Sequence, residues 1–114
     1  MSWEKVSKIF KGFGFSRAEA EVYVYLAKNG SSKGRDLAIG LRTTKQRLYP
    51  ILNHLQEKRV VTHTPEHPTV FTALTFEELL NLYVKLNMEQ AQLISETKTE
   101  LQADWRDDSN QENT

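Results

Sequence analysis

The segment from Phe76 to about Asp104 contains neither glycine nor proline. Because both residue types interrupt helices, their absence over nearly thirty residues predicts one long helix. Such a length is unusual inside a globular domain and is typical of a coiled coil or a dimerisation arm. We therefore predict a folded domain over residues 1–74, a long helix over 75–105 and a disordered polar tail over 106–114.

An apolar stripe follows one face of this predicted helix. Gln90 and Thr97 interrupt it with polar side chains, and such interruptions often set the register and the oligomer number of paired helices. We predict that the chain forms a homodimer through this stripe. Its members are Leu79, Tyr83, Leu86, Ile94, Leu101 and Trp105.

Serine or threonine followed three positions later by glutamate or glutamine marks the starts of three predicted helices. In such a capping box, the hydroxyl accepts a hydrogen bond from a free backbone N–H, and the longer side chain reaches back to the cap. Glycine closes several of the segments before them, since it readily adopts a left-handed conformation. The three pairs are Ser16 with Glu19, Thr43 with Gln46, and Thr75 with Glu78.

After Gly30 the pattern predicts two helices joined by a tight turn. The first is short, begins at Ser31–Ser32 and stops at Gly40. The second begins at Thr43 and is amphipathic, with apolar residues at i, i+3, i+4 and i+7. A pair of helices joined in this way is typical of a helix-turn-helix. The apolar residues of the second helix are Leu48, Ile51, Leu52 and Leu55.

A β-hairpin is predicted after these helices. The segments Val60–Pro65 and Thr69–Ala73 are rich in β-branched residues and alternate in polarity, and Glu66–Pro68 between them has turn chemistry. Three helices followed by a two-stranded ribbon make a winged helix. The predicted fold is therefore mainly α with a small β-hairpin, a winged helix-turn-helix followed by a long dimerisation helix.

Charge divides the chain into two halves of opposite sign. Residues 1–59 carry twelve Lys/Arg against five Asp/Glu, a formal charge of +7, and residues 60–114 carry three against ten, a charge of −7. The formal zero of the whole chain is thus a cancellation. A basic half favours a polyanion through phosphate neutralisation and release of counterions.

Composition excludes several other classes of protein. With no cysteine, the chain has no disulfide framework, no thiolate zinc site and no cysteine nucleophile. His54, His63 and His67 are too scattered to predict a metal site, and no cofactor motif or catalytic arrangement occurs. No apolar run is long enough for a bilayer, and no signal peptide is evident. These absences predict a cytoplasmic protein that is not an enzyme, with no membrane partner.

Several short runs have a characteristic order and spacing. They are Gly14–Tyr23 (GFSRAEAEVY), Gln46–Tyr49 (QRLY), Leu55–Lys58 (LQEK) and Thr75–Glu78 (TFEE). Together they resemble the TrmB-type winged-helix domain of archaeal and bacterial transcription regulators, over roughly residues 10 to 80. The resemblance implies a sequence-specific DNA-binding repressor or activator that works as a dimer. Longer members carry a sugar-sensing domain for which 114 residues leave no room, so any small-molecule effector is unknown.

Double-stranded DNA is the partner that these features predict. A recognition helix reads bases chiefly with its N-terminal residues, and the apolar stripe directs the polar residues of the helix from Thr43 away from the core. The preceding helix start and turn offer further groups for phosphate. The predicted DNA-binding residues are Ser32, Lys33, Arg35, Arg42, Thr43, Thr44, Lys45, Gln46, Arg47 and Tyr49.

Two departures from a simple DNA-binding pattern leave alternatives open. Pro50 lies inside the predicted recognition helix, where it removes a backbone donor and should kink the helix. The wing from His63 to Thr69 has no Lys or Arg. A winged helix that serves protein–protein contact in a transcription complex, or one that binds DNA without sequence preference, would also fit. For Tyr49, phosphate contact and packing on its neighbours are equally open.

Overall fold

A helix-turn-helix followed by a β-hairpin and a long helix confirms the winged-helix prediction. The computed structural model describes the backbone of residues 3–112 and the side chains of residues 4–107. The elements are α1 (Trp3–Gly12), α2 (Arg17–Asn29), β1 (Ser32–Lys33), α3 (Gly34–Gly40), α4 (Lys45–Glu57), β2 (Val61–His63), β3 (Val70–Ala73) and α5 (Phe76–Glu112).

Two of the three predicted capping boxes are present. At the start of α2, the Ser16 hydroxyl accepts from the Glu19 N–H at 3.1 Å, and the Glu19 carboxylate accepts from the Ser16 N–H at 3.4 Å. At the start of α5, Thr75 and Glu78 exchange the equivalent two bonds, each 3.1 Å long. These bonds satisfy backbone donors that the first turn of a helix leaves free.

The third capping prediction, at Thr43, is wrong by one residue. Thr44 is the N-cap of α4, and its hydroxyl accepts from the Arg47 N–H at 3.3 Å. The N–H of Thr43 donates instead to the Ala38 carbonyl at 2.9 Å. The turn is longer than predicted because Arg42 adopts a left-handed conformation with φ of 55°.

The predicted helix start at Ser31–Ser32 is also wrong, because this segment joins the sheet. Ser32 pairs with Phe71 and Lys33 with Val70, and this extended backbone delays α3 until Gly34. The Ser32 hydroxyl donates to the Gly30 carbonyl at 2.9 Å rather than capping a helix.

Strand β3 lies at the centre of a three-stranded antiparallel sheet of order β1–β3–β2. Both strands of the wing are shorter than predicted, and β2 pairs Val61 with Ala73 and His63 with Phe71. Thr64 closes the wing, since its hydroxyl accepts from the Val70 N–H and its N–H donates to the Val70 carbonyl, both at 3.0 Å. The tip beyond Thr64 contains a cis peptide bond before Pro68.

Apolar side chains of all five helices and of the sheet form the core. Each fully buried leucine contributes about 1.5–3 kcal/mol relative to an exposed one. Tyr23, also buried, donates its hydroxyl to the Leu74 carbonyl at 2.8 Å. Burial, with a smaller contribution from the Glu78 charge, raises the pKa of Tyr23 to about 12, so it stays a neutral donor. Fully buried leucines are Leu26, Leu37, Leu48, Leu52, Leu55 and Leu79.

An ion pair joins the start of α2 to the end of α4. The ammonium group of Lys58 donates to the Glu19 carboxylate at 2.7 Å and to the Gly14 carbonyl at 2.8 Å, and it lies 5.1 Å from the ring centroid of Phe15. Glu19 is only 7% exposed. We call these four residues the Lys58 clamp.

Pro50 lies inside α4, and the helix continues on both sides of it. The prediction for the long helix differs from the structure in two places. Helix α5 extends past the predicted end at 105 to Glu112, because no glycine or proline follows Trp105 to stop it, and residues 113–114 of the predicted tail lie outside the described part. Leu79, predicted to lie in the dimer stripe, is fully buried in the core of its own chain. The chain divides into two units after Leu79.

None of the described helices is both long enough and apolar enough to cross a membrane.

Replacement of Lys58 by Met should destabilise the protein by about 1–3 kcal/mol, because it leaves the buried Glu19 carboxylate without its counter-charge. Urea unfolding measures this loss. Arg17→Met is the matched control: it removes a pair with Glu21 that is largely exposed, and it should cost about 0.5 kcal/mol or less. Equal losses of stability in the two variants would show that the Lys58 clamp contributes no more than an exposed ion pair does.

The stability of the protein should fall in acid through Glu19. Burial by itself raises the pKa of Glu19, but hydrogen bonds from Lys58 and Ser16, with the Lys58 charge, outweigh burial and hold the pKa below its usual 4.5. A depressed pKa stabilises the folded state above about pH 4.5, and this contribution disappears as the pH falls through the folded pKa. Free energies of unfolding between pH 6 and pH 3 should therefore decline more steeply for the natural chain than for Glu19→Gln. Parallel curves would contradict this assignment.

Candidate nucleic-acid interface

The first turn of α4 presents Lys45, Gln46 and Arg47 to solvent, and all three side chains are exposed. They face outward because Leu48 and Leu52 on the same helix are fully buried. The apolar stripe thus fixes which face of α4 remains available, as the sequence predicted. These three residues carry between them the donors and acceptors suited to guanine and adenine edges.

The start of α4 is electropositive for two reasons. Its first turn holds no acidic residue, so the positive end of the helix dipole is not neutralised. Lys45 and Arg47 add two full charges at the same place. The Thr44 hydroxyl satisfies one backbone donor and leaves others of the first turn free for an anion.

The turn between α3 and α4 exposes the side chain of Arg42 but partly buries that of Thr43. Arg42 is exposed, and its left-handed backbone sets the direction of the turn. Thr43 is half-buried, and its backbone N–H is already bonded to Ala38. Of the two predicted contacts, Arg42 therefore has the more accessible side chain.

The residues around the start of α3 also differ in how far their side chains are exposed. Lys33 and Arg35 are exposed, whereas Ser32 is half-buried and its hydroxyl is bonded to Gly30. Strand β1 also places Lys33 opposite Val70, so a lysine lies on the sheet that bears the wing. The sequence shows that the wing tip has no Lys or Arg, but it did not indicate that β1 brings Lys33 beside the wing.

Positive charge accumulates over residues 33–47, which contain five Lys/Arg and one Asp, a formal charge of +4. Among the side chains that the structure describes, ion pairs involve only Arg17 with Glu21 and Lys58 with Glu19. The cations of this segment are therefore not neutralised within the described protein. The five are Lys33, Arg35, Arg42, Lys45 and Arg47.

Tyr49, predicted either to contact phosphate or to pack, packs within the fold. Its ring meets Phe71 edge-on at 6.0 Å between centroids, and 37% of the residue stays exposed. On its other side lies Gly34, the first residue of α3. A Cβ atom added there would come within 2.5 Å of the Tyr49 hydroxyl oxygen. Tyr49 thus connects α4 to α3 and to β3.

A second tyrosine occupies the other end of α3. A Cβ atom on Gly40 would overlap the hydroxyl oxygen of Tyr25, on α2, and come within 2.5 Å of Cζ of that ring. Neither Gly34 nor Gly40 has a positive φ. Glycine is therefore needed at these positions because there is no room for a side chain, and not because of the backbone conformation. Sequence reasoning took Gly40 as a helix stop and assigned no role to Gly34, Tyr25 or their contacts. The available signal was a pair of glycines at both ends of one short helix.

The wing also contacts α4. Nδ1 of His63, on β2, forms a hydrogen bond with the side-chain oxygen of Gln56, and the His63 ring lies 6.2 Å from that of Phe71. Within residues 4–107, no three His, Asp or Glu side chains group closely enough to hold a metal ion.

Comparison with known proteins identifies relatives of this architecture. The family model described as "Sugar-specific transcriptional regulator TrmB" matches residues 10–77. No curated protein sequence matches the chain.

Solved structures share the fold at low sequence identity. A possible transcriptional regulator from Methanosarcina mazei Go1 superposes with a TM-score of 0.66 at 12% identity, over 84% of this chain and 88% of that one. The ST1889 protein from the thermoacidophilic archaeon Sulfolobus tokodaii gives 0.63 at 17% identity, over 77% and 94%. MepR of S. aureus, in a complex with DNA, gives 0.56 at 15% identity, over 88% of each chain.

Gly34→Ala should destabilise the protein by about 1–3 kcal/mol, because the new methyl group overpacks against the Tyr49 hydroxyl. In a Tyr49→Phe background the same change should cost much less, since the closest atom is gone and alanine favours the helix. A four-variant unfolding cycle measures this coupling.

The matched control is the same cycle at the other end of α3. Tyr25→Phe should not rescue Gly40→Ala, because Cζ of that ring remains within 2.5 Å of the new Cβ. Additive effects of Gly34→Ala and Tyr49→Phe would refute a direct contact between the two residues.

Proposed function

The chain belongs to the TrmB family of transcriptional regulators, and on this basis we propose that it regulates transcription in the cytoplasm by binding specific double-stranded DNA sites as a homodimer. Regulators of this family are not enzymes. The observation that carries the proposal is the exposed, unneutralised first turn of α4 on a winged-helix scaffold.

Reading of the DNA sequence falls to α4 in this proposal. A helix of this kind enters the major groove with its N-terminal residues against the base edges. Lys45 and Arg47 suit guanine, and Gln46 suits adenine. MepR, which shares this winged-helix fold, has a structure with bound DNA, and this supports duplex DNA as the partner.

In this proposal, groups that contact phosphate fix the position of the protein on the DNA. Lys33, Arg35 and Arg42 are exposed cations outside the first turn of α4, where a phosphate contact carries no sequence information. The hydroxyl of Thr44 is engaged as a cap, so we assign the free backbone donors next to it to phosphate as well. Tyr49 supports α4 by packing on Phe71. Ser32 and Thr43 support the backbone through their hydrogen bonds to the Gly30 and Ala38 carbonyls.

Self-association falls to α5. Four large apolar side chains of the predicted stripe are exposed there: Leu86 by 37%, Ile94 by 54%, Leu101 by 58% and Trp105 by 74%. An exposed apolar series along a helix is typical of a protein-interaction surface. Because Leu79 is buried in its own chain, we place the start of the interface at Tyr83.

Alanine substitutions should separate reading from positioning. A preferred site is first selected from a random DNA pool, and each variant is then titrated on that site and on a scrambled duplex. Loss of Lys33 or Arg35 should weaken both duplexes equally and lower the salt slope by roughly one unit per contact. Loss of Lys45, Gln46 or Arg47 should cost about 1–3 kcal/mol on the selected site and relax its preference at one position.

The alternatives predict other outcomes of the same titrations. If every variant weakens the two duplexes to the same degree, the protein binds DNA without sequence preference. If the natural chain binds no duplex even at low salt, the basic surface meets an acidic protein instead. Lys98→Ala, in the acidic half of the sequence, is a control that should leave both affinities unchanged.

A further inference from the structure

We infer that Pro50 and Asn53 extend the reading face of α4, and that Pro50 selects a thymine through the C5 methyl group of that base. Neither residue belongs to the contacts proposed above. The inference rests on the proposed function, because it applies to a chain that binds duplex DNA with α4 in the major groove. It names two further residues that determine specificity and the kind of base pair that each one recognises.

Pro50 and Asn53 lie on the side of α4 that faces away from the core. Together with Gln46 they occupy positions i, i+4 and i+7, which share one face of a helix, and all three residues are exposed. A line of buried leucines with the same spacing starts two residues later. Two residues correspond to about half a turn, so the outward line lies opposite the buried one. The buried leucines are Leu48, Leu52 and Leu55.

The outward line is long enough to read about three base pairs. A helix advances about 1.5 Å per residue and DNA advances about 3.4 Å per base pair, so Gln46 and Asn53 are about 10 Å apart along the helix. The next residue on the same line is Glu57, which is exposed. Its carboxylate is repelled by the phosphates of DNA. The reading line therefore begins at Gln46 and ends at Asn53.

Pro50 costs α4 a hydrogen bond and gives the fold nothing visible in return. It has no N–H to donate to the Gln46 carbonyl, and proline is the least favourable residue inside a helix. The helix continues on both sides of it, so Pro50 does not end the helix, and its exposed ring does not fill the core. Residues that break a local rule of folding without such a gain are expected at functional sites.

The ring of Pro50 suits thymine better than any other base. In the major groove only thymine presents a methyl group, and this group gains from apolar contact. The other three bases present only donors and acceptors there, and covering them with a ring that cannot pair with them is unfavourable. The amide of Asn53 can bond to N6 and N7 of adenine at the same time. We therefore assign A·T base pairs to both positions.

Replacement of thymine by deoxyuridine tests the methyl contact, since it removes the C5 methyl group and leaves the hydrogen-bonding groups of the base unchanged. Each thymine of the site selected from the random pool is replaced in turn, on both strands, and the full chain is titrated on each duplex. The natural chain should lose about fourfold in affinity at one thymine, the loss expected for one buried methyl group. Pro50→Ser should bind the natural and the substituted duplex equally well.

Urea unfolding of Pro50→Ser separates recognition from folding. Because serine restores the backbone donor, this variant should unfold at a higher urea concentration than the natural chain. A lower midpoint would show that the proline serves the fold instead, and it would contradict the inference. Glu57→Ser is the matched control: it changes the same line of the same helix beyond the proposed contacts, and it should keep the fourfold loss on deoxyuridine.

Asn53 is tested in the same way with 7-deazaadenine, which lacks the N7 acceptor. The natural chain should lose about fivefold in affinity at one adenine, the loss expected for one hydrogen bond. This adenine should lie within about two base pairs of the sensitive thymine, on either strand. Asn53→Ala should not respond to the replacement. A response as large as that of the natural chain would contradict the role of Asn53.

The outcomes distinguish this inference from the proposed function. If a site is selected but no thymine in it responds to deoxyuridine, the inference fails while sequence-specific binding stands. If Pro50→Ser still loses affinity on the same substituted duplex, another residue contacts the methyl group and the inference fails as well. A natural chain that selects no sequence would remove the proposed reading of DNA and the inference together.

Discussion

The ammonium group of Lys58 holds together α2 and α4, the helices that precede and follow α3 in the chain. It follows the last turn of α4, yet its three contacts are all with the entry to α2: the Gly14 carbonyl, the Glu19 carboxylate and the Phe15 ring. Glu19 is at the same time half of the capping box with Ser16. The Glu19 carboxylate therefore serves both as part of a helix cap and as the counter-charge of Lys58. Helix α3 lies in the chain between the two helices that this ion pair joins.

Helix α4 is supported at its middle and its end, and its beginning is left to solvent. Lys58 fixes the residue after the helix, Tyr49 rests on Phe71 and Gly34, and the buried leucines hold one face. Lys45 and Arg47 take no part in any of these contacts through their charged groups. The side chains proposed to read DNA are thus free to vary with little effect on the fold, while the residues that aim them are not.

Local patterns were predictable from the sequence, and contacts between distant residues were not. The capping boxes at Ser16 and Thr75 follow from spacing alone, as does the outward face of α4. Strand β1 escaped prediction because Ser32 is extended only through its pairing with Phe71, a residue far along the chain. The cap at Thr44 was missed because it depends on the left-handed backbone of Arg42, which is not a glycine. The periodicity of the apolar residues in α5 could not show that Leu79 is buried in the core of its own chain.

Helix α3 is only seven residues long and has a glycine at each end, Gly34 and Gly40. A peptide of that length and composition would not be helical in isolation. Its helical conformation therefore depends on tertiary packing: Leu37 and Ala38 are buried in the core, and the rings of Tyr25 and Tyr49 occupy the space where side chains at the two glycines would otherwise stand. It follows that α4 cannot be grafted alone onto another winged helix to transfer its specificity. The graft would bring a tyrosine that demands a glycine in the host, so α3 and α4 must be transferred together.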